Sequence, residues 1–153
     1  MKRNTEFLLQ IRSVRKLYDA YLERACRLHD LNRIEMEVIA FLGNNPTKNT
    51  ARDLVELRLL QKANVSTAVE ALQKKGLLEK EGDTGDRRLI HLNLTAKAGQ
   101  PLRDMQMAQV QLEARLFDGF EAKEREIYLQ MNQKIAENAR VGLEELRNDD
   151  AKK

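Results

Sequence analysis

The stretch from Leu60 to Thr95 constrains the fold of this chain more than any other. Leu60, Val65, Val69 and Leu72 fall on one helical stripe and leave Lys62, Asn64, Thr67 and Lys74 on other faces. Gly76 then ends the helix, at a position where left-handed backbone costs a glycine little. Beyond it, Leu78 to Glu81 and Leu89 to Leu94 are set to pair across Gly82-Asp83-Thr84-Gly85-Asp86-Arg87. Ile90, Leu92 and Leu94 alternate with His91 and Asn93, as a half-buried strand requires. The connection is too long for a tight two-residue turn and, with two glycines and three charges, predicts a projecting, solvated tip. A helix that runs through a glycine stop into a charged hairpin is the pattern of a winged helix. A tip carrying paired arginines, Arg87 and Arg88, suits a polyanion.

The rest of the chain reads as mostly helical. Two prolines, seven glycines and no tryptophan, with abundant Leu, Ala, Glu, Lys and Arg, leave the strand-forming residues concentrated in the hairpin. From about Thr5 to Leu28, Phe7, Leu8, Ile11, Val14, Leu17, Tyr18, Tyr21, Leu22, Ala25 and Leu28 recur at three- and four-residue intervals, a stripe wide enough to face a partner as well as a core. Asn32 is positioned to cap a second helix through Ile34, Val38, Ile39, Phe41 and Leu42, which stops near Gly43-Asn44-Asn45-Pro46. Thr50 is positioned to cap a short third helix carrying Leu54 and Val55. After the hairpin, Leu102, Met105, Val110, Leu112 and Leu116 mark one long helix, and Gly119 offers a break. Ile127, Met131, Ile135, Ala139, Leu143 and Leu146 mark a second long helix. The polar residues from Asn148 to Lys153 read as a frayed tail.

At 153 residues the chain suits one domain with added dimerisation elements. A net charge of +3 is mild, and the segment from Thr47 to Lys97 carries ten Lys/Arg against seven Asp/Glu. A nucleic-acid surface must therefore come from local placement, and a dimer that doubles a small patch fits better than a non-specific coating protein. One cysteine excludes an intramolecular disulfide framework. No apolar run approaches membrane-spanning length, and the first residues lack the apolar stretch of a signal peptide, so a cytoplasmic location with no membrane partner is expected.

Several of these segments resemble the MarR family of bacterial transcriptional regulators. Thr50-Ala51-Arg52-Asp53-Leu54-Val55 is similar to the family's first helix-turn-helix segment. Val65-Ser66, Val69 to Leu72 and Lys75-Gly76-Leu77-Leu78 are similar to its recognition helix and exit. Asp83-Thr84-Gly85-Asp86-Arg87-Arg88 followed by Leu92-Asn93-Leu94-Thr95 resembles its wing signature. The resemblance covers nearly the whole chain. It implies a single mainly α domain with a small β-wing: a winged helix-turn-helix core over about 31–97, dimerisation helices over about 5–30 and 98–147, and the tail at 148–153.

It further implies a homodimer on a pseudo-palindromic double-stranded operator, with half-sites about one helical turn apart. Each subunit would place one helix in a major groove and one wing in a neighbouring minor groove, as a repressor relieved by a small-molecule effector. Carried over by position, Ala63, Asn64 and Thr67 would face bases, with Gln61, Lys62 and Ser66 nearby. Arg88 would enter the minor groove, oriented by Asp86. The chemistry suits those roles: Asn can pair with adenine through two hydrogen bonds, and a guanidinium suits a narrow A/T-rich minor groove. Lys62 and Arg87 would bind phosphate. Two departures stand out. Gln61 occupies a position where the family favours a small hydroxyl cap, and Thr67 stands where some relatives carry arginine, which predicts a site dependent on A/T shape.

Other features carry plainer readings. Some members of that family sense oxidants through a cysteine in the first helix, but Cys26 lies late in the stripe, beside Ala25 and Leu28, and reads as a buried small residue. His29 and His91 lack the spacing of a zinc site. Tyr18, Tyr21, Met105 and Met107 read as core before they read as an effector pocket. No paired carboxylates, nucleophile–base set, metal cluster or phosphate-binding glycine loop stands out, so neither enzyme chemistry nor a cofactor is expected. The alternative is a winged helix that binds protein and not DNA.

Overall fold

A computed structural model describes residues 3–58 and 60–152. The order is α1 (Arg3–His29), α2 (Arg33–Asn44), α3 (Ala51–Arg58), α4 (Lys62–Lys74), β1 (Leu78–Gly82), β2 (Ile90–Leu94), a 3-10 turn (Ala96–Ala98), α5 (Gly99–Leu116) and α6 (Ala122–Asp150). This is the mainly helical winged architecture expected from the sequence. The chain divides into two compact units, Met1–Glu113 and Ala114–Lys153.

Local chemistry sets the element boundaries in the first unit. The Asn32 side chain accepts from the amide of Glu35 at 2.9 Å, and the Glu35 carboxylate accepts from the amide of Asn32 at 3.1 Å. This capping box starts α2. Thr50 and Asp53 repeat the exchange at α3: the Thr50 hydroxyl accepts from the Asp53 amide at 3.2 Å and Asp53 accepts from the Thr50 amide at 3.0 Å. Gly76 takes φ +72° just past α4 and turns the chain into β1. At Gly43, in the last turn of α2, a Cβ would run into the side chain of Leu102, so the glycine permits close approach of α5.

The core of this unit is built from the second half of α1, α2, α3, α4, the hairpin and the start of α5. Leu22, Met36, Ile39, Leu54, Leu72, Leu78 and Met105 are its largest fully buried side chains. The two strands pair antiparallel, Leu78 opposite Leu94 through Gly82 opposite Ile90. The expected alternation along β2 holds in part. Leu92 is buried and Leu94 half-buried, but Ile90 is 49% exposed, because it lies at the hairpin's outer end beyond the reach of the core.

Apolar residues of the first half of α1 stay uncovered: Phe7, Leu8, Leu9 and Ile11 are all exposed. In the second unit, Phe117, Phe120 and Tyr128 form an edge-to-face cluster with centroids 5.4–6.3 Å apart, at the turn before α6. Along α6, Ile127, Met131, Ile135, Leu143 and Leu146 are exposed within the single chain. The helix runs on through Asn148, Asp149 and Asp150, residues the sequence reading assigned to a frayed tail. No proline or glycine interrupts it there, and the Ala151 amide still donates to the carbonyl of Arg147 at 3.1 Å. Among the described residues no helix is long and apolar enough to cross a membrane.

Candidate nucleic-acid interface

The helix α4 is sorted sharply by burial. Val65, Ala68, Val69 and Leu72 are buried, while Gln61, Lys62, Ala63, Asn64, Ser66 and Thr67 are exposed. All six residues singled out from the sequence near this helix's start therefore lie on its free face. Gln61 is the N-cap and has extended backbone, but its side chain makes no capping bond, in keeping with its departure from the usual hydroxyl cap. The Thr67 hydroxyl donates to the carbonyl of Ala63 at 3.0 Å, which leaves its lone pairs and methyl group for an external contact.

Tertiary packing brings further side chains beside this face. A groove of about 260 Å³ is lined by Asn32, Arg33, Ile34, Asn64, Thr67 and Ala68. On the other flank, a groove of about 330 Å³ between α3 and α4 includes Arg52, Glu56, Lys62 and Ser66. The guanidinium of Arg52, its side chain 82% exposed, lies 2.7 Å from Glu56. Sequence reasoning missed Asn32, Arg33 and Arg52 as neighbours of the helix, since nothing in a one-dimensional pattern pairs the starts of α2 and α3 with α4.

The wing tip is ordered by its own carboxylates. Asp83 Oδ2 accepts from the amides of Gly85 and Asp86, both at 2.8 Å, and Asp86 Oδ1 accepts from the amide of Arg88 at 2.9 Å. The contact between Asp86 and Arg88 is thus made to the Arg88 backbone. Asp86, Arg87 and Arg88 are all exposed.

At its base the wing is held by a chain of polar side chains that sequence reasoning did not find. His91 places Nε2 3.0 Å from Asp83 Oδ1 and Nδ1 2.7 Å from Asn49 Oδ1. Asn49 Nδ2 donates to Asn93 Oδ1 at 3.1 Å, and Asn93 Nδ2 donates to Glu81 Oε2 at 3.0 Å. The Leu92 amide donates to the Asn49 carbonyl at 2.7 Å, so β2 is tied by backbone as well to the segment that enters α3. The hydrogen bond from His91, followed by the amides of Asp86 and Gly85, lowers the Asp83 carboxyl to about 2.

A second polar network joins α1, α2 and α3. Arg33 reaches Asp19 at 2.6 Å and Glu37 at 3.1 Å, Arg58 lies 3.8 Å from Glu37, and Arg58 Nη2 donates to the Tyr18 hydroxyl at 2.8 Å. Burial raises the Tyr18 phenol, against the opposing influence of Arg58. Glu35, also buried, is matched by Lys75 at 2.8 Å. Beside this network a cavity of about 540 Å³ between α1 and the start of α2 is lined by Asp19, Leu22, Cys26, Arg27, Leu31 and Arg33, among others. Cys26 is buried, and desolvation followed by Glu35, Glu23 and Glu37 pushes its thiol up, away from the reactive thiolate. Met105 is core, whereas Tyr21 and Met107 line a smaller hollow of about 180 Å³. Among the described residues no group of three or more His, Cys, Asp or Glu is placed to hold a metal ion.

Comparison with known proteins sets this geometry in context. Residues 29–89, which hold the helix-turn-helix and most of the wing, match the family model described as MarR family. Over this segment the chain is similar to the MarR family. Its relatives include the uncharacterised HTH-type transcriptional regulator YwaE of Bacillus subtilis, 29% identical over 87 residues. That alignment covers 57% of this chain and 51% of the relative, so the match spans about half the length of the curated protein. A MarR-family regulator from Silicibacter pomeroyi superposes with a TM-score of 0.74 at 22% identity, over 84% of this chain and 86% of that one. A putative MarR-family regulator from Listeria monocytogenes, solved with a 26mer DNA, also superposes with a TM-score of 0.74, at 19% identity over 90% and 89% of the two chains. At these identities the structural likeness establishes the fold. MarR proteins are transcriptional regulators and not enzymes.

Proposed function

We propose that this chain is a MarR-type regulator, a sequence-specific double-stranded DNA-binding repressor that works as a homodimer. The observation that carries the reading is the free face of α4: Gln61, Lys62, Ala63, Asn64, Ser66 and Thr67 are all exposed on a helix whose opposite side is locked into the core. Asn64 and Thr67 have the donors, acceptors and methyl group to read base edges in a major groove. Lys62 and Arg87 supply phosphate contacts, and Arg88, on an ordered tip, supplies a guanidinium for the minor groove. A second copy of the chain is the partner that would cover the exposed apolar residues of α1 and α6. It would also double a modest positive patch on a pseudo-palindromic operator. Such a protein acts in the cytoplasm, where it competes with polymerase for a promoter.

The effector reading rests on the cavity beside Asp19 and Arg33. Its volume is that of a small-molecule site, and its wall includes the first ion pair of the network that runs through Glu37 to Arg58 at the end of α3. A ligand that competes for Arg33 would disturb the support of the helix-turn-helix and weaken DNA binding.

In vitro selection from a randomised duplex library, followed by a salt titration on the recovered sequence, tests the reading. A pseudo-palindrome bound by a dimer is expected, with affinity that falls steeply with salt as neutralised phosphates release counterions. A/T-rich flanks under the wing and no fixed guanine opposite Thr67 are also expected. No duplex enrichment, with a salt-insensitive protein partner instead, would move the module to protein recognition.

A further inference from the structure

The polar chain at the base of the wing ends in a carboxylate on both sides, and that fixes its direction. Glu81 can only accept, so Asn93 must turn its amide nitrogen toward it, at 3.0 Å. Asn93 then offers its oxygen to Asn49 Nδ2, and Asn49 is left with its own oxygen 2.7 Å from His91 Nδ1. On the other side of the ring, Nε2 lies 3.0 Å from the Asp83 carboxylate. Both ring nitrogens of His91 therefore face acceptors, and only an imidazolium carries two N–H donors. A neutral ring must lose one contact. Reversing both amides to rescue it would set the Asn93 oxygen against the Glu81 carboxylate.

We propose that His91 is a positioning residue for the wing: its imidazolium latches the tip, through Asp83, to the segment entering α3 that the β2 backbone already joins, and loss of its proton loosens the tip and weakens DNA binding. The inference rests on the DNA-binding reading above. The surrounding charges support it. Opposite β2, β1 contributes Glu79, Lys80 and Glu81, with Glu81 in register with His91. The tip contributes Asp83, Asp86, Arg87 and Arg88, and the segment before α3 contributes Lys48. On α3, Asp53 is held by Thr50 and Arg52 by Glu56; on α2, Glu35 is held by Lys75 and Glu37 by Arg33 and Arg58. Asp83, lowered to about 2, stays ionised throughout the range in which an imidazole titrates, so the acceptor on that side is constant.

The chain has two histidines, which makes the test clean. Ring 15N spectra, order parameters of residues 83–89, and affinity for a duplex recovered by selection are measured at constant ionic strength between about pH 6 and pH 8. Expected are a His91 ring protonated on both nitrogens at about pH 6, a loosening of the wing as it deprotonates, and a three- to tenfold fall in affinity, roughly the net weight of one hydrogen bond. His29→Gln should keep that fall and His91→Gln should abolish it. The proposal is overturned if His91→Gln falls as the wild type does, or if His91 is neutral at about pH 6 in an ordered wing. It is also overturned if His91→Lys at high pH matches the acid wild type with no change in wing order, since charge alone would then suffice. Failure to recover any duplex at any pH would refute DNA binding, while ring spectra and wing order would still decide the latch.

Discussion

Helix α4 and the wing belong to one compact unit and are held in it by opposite physics. The helix is seated by Val65, Ala68, Val69 and Leu72, four buried apolar side chains whose packing has no direction and no proton to lose. The wing reaches the core through Leu78 and Leu92, while its outer half depends on Asp83, His91, Asn49, Asn93 and Glu81, each donor aimed at one acceptor. Apolar seating gives a helix whose position is indifferent to pH and salt. A directional polar chain gives a projection that is well placed but conditional. If DNA is read with both, as proposed, the helix supplies a constant contact and the wing an adjustable one.

The comparison is broken most severely by Leu72→Ala. That side chain is fully buried, so truncation should cost about 2–5 kcal/mol, a large share of the stability of a small domain. Ile90→Ala, at the exposed end of the wing, should cost under about 0.5 kcal/mol. Urea denaturation followed by circular dichroism reads both; similar losses would mean that the wing is seated as the helix is. Next in size is Arg88→Ala, which should weaken binding to the selected duplex about tenfold while the urea midpoint and the proposed dimer stay unchanged. Equal affinity for wild type and variant in a gel-shift titration would remove the wing from the interface.

How much of this was legible follows the same division. The apolar stripe of α4, the glycine at its exit and the caps at Asn32 and Thr50 are local rules, and the structure reproduces them within a residue or two. The exposure of Asn64, Thr67, Arg87 and Arg88 could be read for the same reason, as the complement of the buried stripe. What the sequence did not disclose was long-range and polar. Asn49 and His91 stand 42 positions apart, and neither has a periodic or motif signal, so their contact exists only once the hairpin folds back on the entrance to α3. Arg33, Glu37 and Arg58 are hidden in the same way. Ile90 was misread because alternation predicts which face a residue takes, but not whether anything covers that face at the strand's end.

The smallest expected effect sharpens the comparison from the helix side. Gln61 has the extended backbone of an N-cap, and its carbonyl already accepts from the amide of Val65 at 3.0 Å, yet its side chain leaves the first-turn amides uncapped. Gln61→Ser places a hydroxyl within reach of the amide of Ala63 or Asn64 and should stabilise the fold by about 0.5–1 kcal/mol. The gain should show as a higher urea midpoint with no change in the order parameters of residues 83–89, because α4 is placed by burial and its cap does not enter the polar chain that holds the wing. A wing that stiffens together with the helix start would mean that the two elements share a support that neither their hydrogen bonds nor their buried contacts reveal, and the conditional character assigned to the wing would then extend to the helix as well.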